Sequence, residues 1–326
     1  MSDLVPVNRP ASVAASGVKG MLVMSIAMAL FMTNDTLVKL ALQHLPLGEA
    51  LTIRTIAAAL ILLGLAAWSG ELRALVYVFD RRVLSRSSLD MVTTLAYVAA
   101  LGVLPIASIT TIYMAAPLIT IALAVPLLGE RVSWSGWCAI IVGFAGAIIV
   151  TRPDPGTFSL MALLPLFAAF SGSVRDLVTR GISREVPGSV VAFAGSIVVT
   201  LASLLFGLTE SWRMPSLADV AILVGAAAAF SIGTVCLVYA FRNAPIAAVS
   251  PLRYLLVVGA LISGYFVFGD LPDAWTSIGM LLVVGAGLYS LQAETRRSRA
   301  ERRAASVASG ACVMGGATAA CAPRKD

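Results

Sequence analysis

Ionisable side chains stand inside segments that are otherwise apolar, and they are the residues here with the clearest chemistry. Four cations lie within such segments: Lys39, Arg54, Arg175 and Arg253. A charge deep in a lipid bilayer is costly, so it normally faces a polar cavity or an opposite charge. A guanidinium can also bind a planar or anionic solute through paired hydrogen bonds. The sequence therefore predicts solute-binding or gating roles for part of this set.

Two acid–base pairs have the spacing of neighbours on one helix face. Asp35 precedes Lys39 by four residues, and Asp176 precedes Arg180 by four. Because the first predicted helix runs outward and the sixth runs inward, the pairs lie near opposite mouths of a pathway, and one hypothesis is that they open and close these mouths. Static pairs that only make charge tolerable in lipid are the equal alternative. Arg54 either joins Asp35 or extends its head towards the surface.

Arg253 is the leading candidate for solute binding. It lies about nine residues into its apolar segment, or roughly 14 Å at 1.5 Å per residue, which is near the membrane midplane. Pro251 removes a backbone donor just before it and favours a bend. Tyr113 occupies the equivalent position 140 residues earlier, so Tyr113, Ser250, Arg253 and Tyr254 could converge. The alternative is that Arg253 pairs with an acid on a neighbouring helix.

Composition requires lipid around most of the chain. Of the 326 residues 59% are hydrophobic and 12% are charged, with a mean hydropathy of +0.93. Soluble domains carry about 25% charged residues. The net charge of +6 sits in short loops and in the tail, which argues against a nucleic-acid partner. The four cysteines form neither a disulfide framework nor a zinc motif, so no metal or cofactor is expected.

Hydropathy predicts an all-α membrane protein with ten transmembrane helices. The spans are approximately 19–42, 47–69, 86–102, 104–128, 134–151, 158–180, 187–208, 216–240, 244–268 and 274–292. With a cytoplasmic N-terminus, the outer loops hold only two cations, Arg152 and Arg213. The positive-inside rule therefore places both termini in the cytoplasm, which requires an even number of crossings. The predicted location is the cell inner membrane. Asp90 is expected at the membrane interface, without a role.

An internal repeat divides these helices into two halves. Pro105-Ile106-Ala107 recurs 140 residues later as Pro245-Ile246-Ala247, and Gly129-Glu130 recurs as Gly269-Asp270. Five helices per copy make the second copy inverted, as in many carriers. Duplication that only enlarges a bundle is the alternative. The predicted regions are an N-terminal segment 1–18, repeats 19–151 and 158–292, and a basic, disordered cytoplasmic tail 293–326.

Several of these motifs also carry a family likeness. They are Asn34-Asp35 with Lys39, Arg54, Pro105-Ile106-Ala107, Pro117 and Gly129-Glu130-Arg131. Over residues 19–292 the chain resembles the EamA type of the drug/metabolite transporter superfamily. The resemblance implies a carrier of small organic metabolites, and Asn34 completes the predicted binding set. The segments 34–39 and 250–254 are similar to a subgroup with riboflavin and S-adenosylmethionine carriers. Arg54 has no counterpart in the second half, which departs from strict symmetry.

The leading hypothesis is a secondary transporter by alternating access, with riboflavin uptake first. An exporter or carrier of S-adenosylmethionine or an amino acid is the alternative. An intramembrane enzyme is disfavoured because His-Glu-x-x-His and Gly-x-Ser-x-Gly are absent and His44 is the only histidine. A membrane sensor would usually carry a folded soluble domain. The expected partners are a small-molecule substrate and membrane lipid, and glycine-rich helix faces leave a homodimer open.

Overall fold

A computed structural model describes residues 11–128, 132, 134–151, 163–179, 181–183, 185–243 and 249–314. All regular elements within these ranges are helical. The α-helices are α1 (Ala11–Ala41), α2 (Leu47–Trp68), α3 (Arg81–Leu101), α4 (Ile106–Tyr113), α5 (Ala116–Leu128), α6 (Trp134–Thr151), α7 (Leu164–Thr179), α8 (Gly188–Gly207), α9 (Leu217–Asn243), α10 (Leu255–Ser263) and α11 (Ala274–Met314). Short 3-10 helices span Leu72–Phe79 and Ser250–Tyr254, and a π-helical turn spans Gly264–Phe268.

Helix starts follow from local chemistry. Prolines stand immediately before α2, α4 and α8, at positions 46, 105 and 187, where the ring's fixed φ turns the chain and the absent N–H costs nothing. Asp80 caps α3, because its carboxylate accepts hydrogen bonds from the backbone N–H groups of Arg82 and Val83 at 2.8 and 3.3 Å. The π-helical turn ends at Gly269, whose φ of 71° lies in the left-handed region that glycine tolerates.

Eight segments of the described chain are long and apolar enough to cross a membrane. They are Val18–Ala41, Leu47–Trp68, Ile106–Leu127, Trp134–Thr151, Gly188–Gly207, Leu217–Phe241, Ser250–Phe268 and Ala274–Ala293. Two further predicted spans fall short. α7 has 16 described residues, and α3 carries arginines and an aspartate in its first half. The all-helical prediction is confirmed within the described residues, and the two helices that fall short carry the ion pairs between Asp90, Arg175 and Asp176.

The bundle is built from a few dominant helix pairs. α1 packs along α9, α2 along α8, α3 along α7, and α6 along α11. Small residues permit the closest of these approaches. A Cβ placed on Gly146 of α6 would lie 2.8 Å from the Gly279 carbonyl oxygen of α11, and the reverse distance is 2.7 Å. These two glycines of the predicted packing faces therefore pack within one chain.

Two predicted helices are interrupted near their middle. In place of a continuous helix 104–128, α4 ends at Tyr113 and α5 begins at Ala116. Pro117 offers no N–H to the Tyr113 carbonyl, which breaks the ladder there. The hydroxyl of Ser173 on α7 donates to the Ala116 carbonyl at 2.8 Å and stabilises the break. In place of a continuous helix 244–268, Ser250–Tyr254 is a 3-10 helix that leads into α10.

The terminal boundaries differ from those expected. α1 begins at Ala11, within the predicted N-terminal segment. The expectation of disorder from residue 293 is wrong for the first part of the tail, because α11 continues to Met314. Alanine and arginine have high helix propensity, which accounts for the extension. Several motif residues lie outside the described residues, namely Gly129 to Arg131, Arg180 and Pro245 to Ala247.

Candidate functional site

Charged side chains of α3 and α7 form one buried cluster. Arg175 Nη1 donates to Asp90 Oδ1 at 2.7 Å, and Arg175 Nη2 donates to Asp176 Oδ1 at 2.9 Å. Arg86 approaches the second oxygen of Asp90 at 3.4 Å. We call these four residues the α3–α7 cluster. Two arginines and two carboxylates balance in formal charge, which makes the cluster tolerable inside an apolar bundle.

A glycine of α8 makes room for this cluster. A Cβ on Gly195 would lie 2.9 Å from Asp90 Oδ2 and 3.3 Å from Arg86 Nη1. Any larger residue would have to displace the carboxylate or the guanidinium. The absence of a side chain at position 195 is therefore part of how the ion pairs fit between three helices.

A second cluster joins α1 and α2. Arg54 Nε donates to Asn34 Oδ1 at 2.8 Å, and Asn34 Nδ2 donates to Asp35 Oδ1 at 2.8 Å. The guanidinium of Arg54 also lies over the Phe230 ring of α9, 4.7 Å from its centroid. Such a cation–π contact is worth about 2 kcal/mol when desolvated. We call Asn34, Asp35 and Arg54 the α1–α2 cluster.

Two tyrosines connect the clusters. The Tyr97 hydroxyl of α3 donates to Asp35 Oδ2 at 2.9 Å and lies 3.4 Å from the Thr110 hydroxyl of α4. The Tyr97 ring meets the Tyr113 ring edge-on, with centroids 5.2 Å apart. Arg175 Nη2 donates in turn to the Tyr113 hydroxyl at 3.5 Å. A continuous polar and aromatic path thus runs from Arg54 through the bundle to the α3–α7 cluster.

The predicted pairing of Asp35 with Lys39 is wrong. Lys39 instead donates to the backbone carbonyl of Leu104, and its ammonium lies 5.2 Å from the centroid of the Phe268 ring. Leu104 stands in the turn before α4, where its carbonyl is free of a helical partner and can accept. The carboxylate of Asp35 meanwhile has its two neutral donors, the Asn34 amide and the Tyr97 hydroxyl.

Three other placements also differ from expectation. Asp176 pairs with its neighbour Arg175, while Arg180 lies outside the described residues. Arg54 is 6% exposed and bonded to Asn34, so it does not reach the surface. Asp90 was expected at the interface without a role, and that expectation is wrong because its carboxylate holds Arg175. Packing of α3 against α7 brings these groups together, which spacing along one helix cannot reveal.

The direction of the Tyr254 hydroxyl does not support the predicted convergence around Arg253. Tyr254 is 4% exposed, and its hydroxyl faces Gly287 of α11, where a Cβ would overlap it. Within the described residues that hydroxyl has no hydrogen-bond partner, and the side chains of Arg253 and Ser250 make no hydrogen bond or ion pair. Tyr113 belongs instead to the path through Tyr97 and Arg175. Of the predicted residues, the structure unites Asn34, Asp35, Arg54, Tyr113 and Asp176.

Sequence reasoning missed Tyr97, Arg86 and Phe230. Arg86 and Asp90 have the same i,i+4 spacing as the pairs that were singled out, so that signal was available. Tyr97 and Phe230 carry no spacing signal, because an aromatic residue on an apolar helix usually belongs to packing alone.

Comparison with known proteins places this architecture. Residues 18–152 match the family model described as the EamA-like transporter family. These residues therefore resemble an EamA-like transporter domain. The matched region contains the whole α1–α2 cluster, both connecting tyrosines and the α3 half of the second cluster.

Several proteins that are similar to this chain are named as transporters. The S-adenosylmethionine uptake transporter of Rickettsia prowazekii is 29% identical over 60% of this chain and 66% of its own length, just under two thirds. The riboflavin transporter of Rhizobium johnstonii is 28% identical over 67% of this chain and 72% of its own. The pseudopaline exporter CntI of Pseudomonas aeruginosa is 24% identical over 82% of this chain and 94% of its own.

A solved crystal structure resembles the fold of this chain. The superposition has a TM-score of 0.63 at 18% sequence identity and covers 86% of this chain and 99% of the solved one. At that identity the likeness concerns the fold alone.

Proposed function

We propose that this protein is a secondary transporter that moves a small polar organic metabolite across the inner membrane by alternating access. The observation that carries the proposal is the polar and aromatic path between the α1–α2 and α3–α7 clusters. Buried charge inside a membrane bundle normally marks a substrate or ion pathway. The match of residues 18–152 to the EamA-like transporter family agrees with it.

The pattern of helix packing supports a ten-helix bundle with two inverted halves. We pair α1 with α7, α2 with α8, α3 with α9, the α4–α5 segment with the segment 250–268, and α6 with α11. Exchanging partners turns the α1–α9 contact into α7–α3, and the α2–α9 contact into α8–α3; both are among the main contacts. The α2–α8 and α6–α11 contacts map onto themselves. Such a repeat lets the halves exchange conformations and reverse access.

In this scheme α3 and α7 are the two remaining crossings. Their charged groups face one another instead of lipid, which removes the objection that hydropathy raises against them. With both termini in the cytoplasm, the α1–α2 cluster lies in the outer part of the membrane and the α3–α7 cluster in the inner part. Interrupted helices at equivalent positions, after Tyr113 and at Tyr254, are a further common feature of carriers.

We propose riboflavin uptake as the leading substrate assignment. Two tyrosine rings and two guanidinium groups border the path, and such groups recognise planar heteroaromatic rings by stacking and hydrogen bonding. The riboflavin transporter relative shares more of its length with this chain than the S-adenosylmethionine transporter relative does. S-adenosylmethionine is the second candidate, because Asp35 makes no ion pair within the described residues and could receive a cationic ligand.

The competing class is an intramembrane enzyme. Within the described residues, no group of three side chains could hold a metal ion. The carboxylates of the path are bonded to arginines or to neutral donors. We therefore propose movement of the ligand without a chemical reaction.

Purified protein in liposomes tests the assignment. Labelled riboflavin and labelled S-adenosylmethionine would be offered separately, and internal label would be identified after extraction. The proposal expects saturable accumulation of unaltered riboflavin, competed by excess unlabelled riboflavin. Accumulation of S-adenosylmethionine alone would move the assignment to the second candidate. A chemically altered product would favour the enzyme, and no flux of either compound would contradict both substrate assignments.

A further inference from the structure

The carboxylates of the two clusters have different kinds of partner. Asp90 and Asp176 each lie within 2.9 Å of the Arg175 guanidinium. Asp35 receives only neutral donors, the Asn34 amide at 2.8 Å and the Tyr97 hydroxyl at 2.9 Å. An ion pair holds a carboxylate in its charged form, whereas neutral donors in an apolar bundle do so far less.

The charged and titratable groups around Asp35 come from several helices. From α2, Arg54 is separated from it by the Asn34 amide that bonds both. From α3, Tyr97 bonds it directly, and behind Tyr97 stands Tyr113 of α4. Lys39 on the same helix is turned towards the Leu104 carbonyl and the charge of Asp270.

Other helices that pack on α1 add few such groups near Asp35. α9 presents the Phe230 ring, which Arg54 covers, and Ser263 at the end of α10 bonds Thr36 at 2.6 Å. Arg253 and Tyr254 belong to the 3-10 helix that packs on α1, and the Tyr254 hydroxyl faces α11. Within the described residues, no cation forms an ion pair with Asp35.

We propose that Asp35 is the proton-binding site of this carrier and that Tyr97 is the switch that reports its protonation. With Asp35 ionised, the Tyr97 hydroxyl donates to it. When a proton from water binds Asp35 Oδ2, that new O–H donates to the Tyr97 oxygen instead. The Tyr97 hydrogen then turns to the Thr110 hydroxyl, 3.4 Å away. One proton is gained, the hydrogen bond between Tyr97 and Asp35 reverses its direction, and Tyr97 becomes the donor to Thr110, so α3 keeps its bond to α1 and strengthens its bond to α4.

This switch lies where it can affect the pathway. Thr110 stands on α4, whose helix ends at Tyr113, and the Tyr113 ring touches that of Tyr97. A change at Tyr97 therefore reaches Arg175 through one aromatic contact and one hydrogen bond. The coupling of proton and solute rests on the proposed transport function, whereas proton binding at Asp35 does not.

Infrared difference spectroscopy on purified protein tests proton binding without any substrate. Protonated carboxyl groups absorb apart from carboxylates, so a titration from neutral to mildly acidic pH reports each carboxyl that takes up a proton. We expect Asp35→Asn to remove one such band, and the matched variant Asp176→Asn to keep it. An unchanged titration in Asp35→Asn, or loss of the band in Asp176→Asn, would overturn the assignment.

Flux in liposomes tests the coupling. The readout is the ratio of initial uptake with an acidic exterior to uptake at equal pH, which does not depend on the absolute rate of a variant. We expect a ratio above unity for the wild type and a ratio of unity for Asp35→Asn. Tyr97→Phe keeps the carboxyl and removes the switch, so it should retain the infrared band and lose the gradient effect.

The outcomes separate the two proposals. Solute uptake with no gradient effect in the wild type would overturn coupling and leave the carrier standing. An Asp35 band in a protein that moves no tested solute would support the proton site while the transport proposal failed. Tyr97→Phe with a wild-type ratio would overturn the role of Tyr97 as the switch.

Discussion

In the proposed inverted scheme α1 corresponds to α7, yet the α1–α2 cluster and the α3–α7 cluster handle charge differently. In the first, a single arginine reaches its aspartate through an intervening amide. In the second, one arginine clamps two aspartates directly. The difference teaches that two charged clusters in one helical bundle can have distinct electrostatics: the aspartate of the first lacks a direct ion pair, and those of the second are held by one.

In the proposed repeat, the two clusters have their arginines at positions that do not correspond. At an offset of 141 residues, Asn34 corresponds to Arg175 and Arg54 corresponds to Gly195. The arginine thus stands on the second helix of the first half and on the first helix of the second half. Where Arg54 is large, Gly195 is empty, and Asp90 fills that space within 2.9 Å of a Cβ position. In the proposed repeat, Arg175 thus supplies the cation that has no counterpart at the position of Arg54.

The largest effect is expected from breaking the ion pairs of the α3–α7 cluster. Arg175→Gln leaves Asp90 and Asp176 without their shared guanidinium. Removing one partner of a buried ion pair costs about 3–5 kcal/mol. We expect a large fall in the thermal midpoint of the purified protein and loss of flux. Adding Asp90→Asn should recover part of that midpoint, and a double variant no more stable than Arg175→Gln would contradict the ion-pair account.

A substitution in the α1–α2 cluster should have a smaller effect. Arg54→Gln loses the bond to Asn34 and the contact with Phe230, together worth about 2–3 kcal/mol. That corresponds to roughly 30–150-fold weaker ligand affinity if the ligand needs this guanidinium in place. Equilibrium binding measures it, with Arg54→Lys as the conservative comparison. Binding that is unchanged in Arg54→Gln would remove the α1–α2 cluster from the ligand path.

A still smaller effect is expected from filling the space that Gly195 leaves on α8. Gly195→Ala would press Asp90 away from Arg175 and Arg86, so we expect a few-fold lower flux with an intact fold. Gly64→Ala is the matched control, because no atom lies within 4 Å of its Cβ position. Alanine there favours the helix by about 1 kcal/mol. Equal flux in both variants would mean that the space at Gly195 has no influence on the α3–α7 cluster.

The smallest effect is expected at Tyr254, one of the residues predicted to converge with Arg253. Tyr254→Phe removes a buried hydroxyl that has no hydrogen-bond partner within the described residues. Since an unpaired buried hydroxyl carries a desolvation penalty of about 1–3 kcal/mol, its removal should leave the thermal midpoint equal or higher. Uptake kinetics should match the wild type. A clear loss of uptake with normal stability would restore Tyr254 to the binding set.

Hydropathy and the positions of prolines predicted most of the helices. Prolines at 46, 105 and 187 mark helix starts, and the boundaries of α2, α6 and α8 lie within two residues of those expected. The break after Tyr113 was missed, because Pro117 was read as part of one continuous span. Whether a proline breaks a helix depends on the contacts around it, and here Ser173, from a distant part of the chain, bonds the Ala116 carbonyl beside the break.

The site was predictable only in part. Intramembrane charge pointed to Asp35, Arg54 and Asp176, since that cost is visible in sequence alone. The partners were not visible, because Tyr97 reaches Asp35 and Asp90 reaches Arg175 across helix interfaces. The expected midplane role of Arg253 assumed that pseudo-symmetric positions converge, whereas side-chain direction decides whether they do.

Riboflavin counterflow in liposomes tests the central claim, that both clusters act on one transport path. Liposomes loaded with unlabelled riboflavin would receive trace external label, with wild type, Arg54→Gln, Arg175→Gln plus Asp90→Asn, and Gly64→Ala compared at equal reconstituted amounts. We predict a transient accumulation of label in wild type and Gly64→Ala, and a strongly reduced one in both cluster variants. Wild-type counterflow in either cluster variant would contradict a shared path.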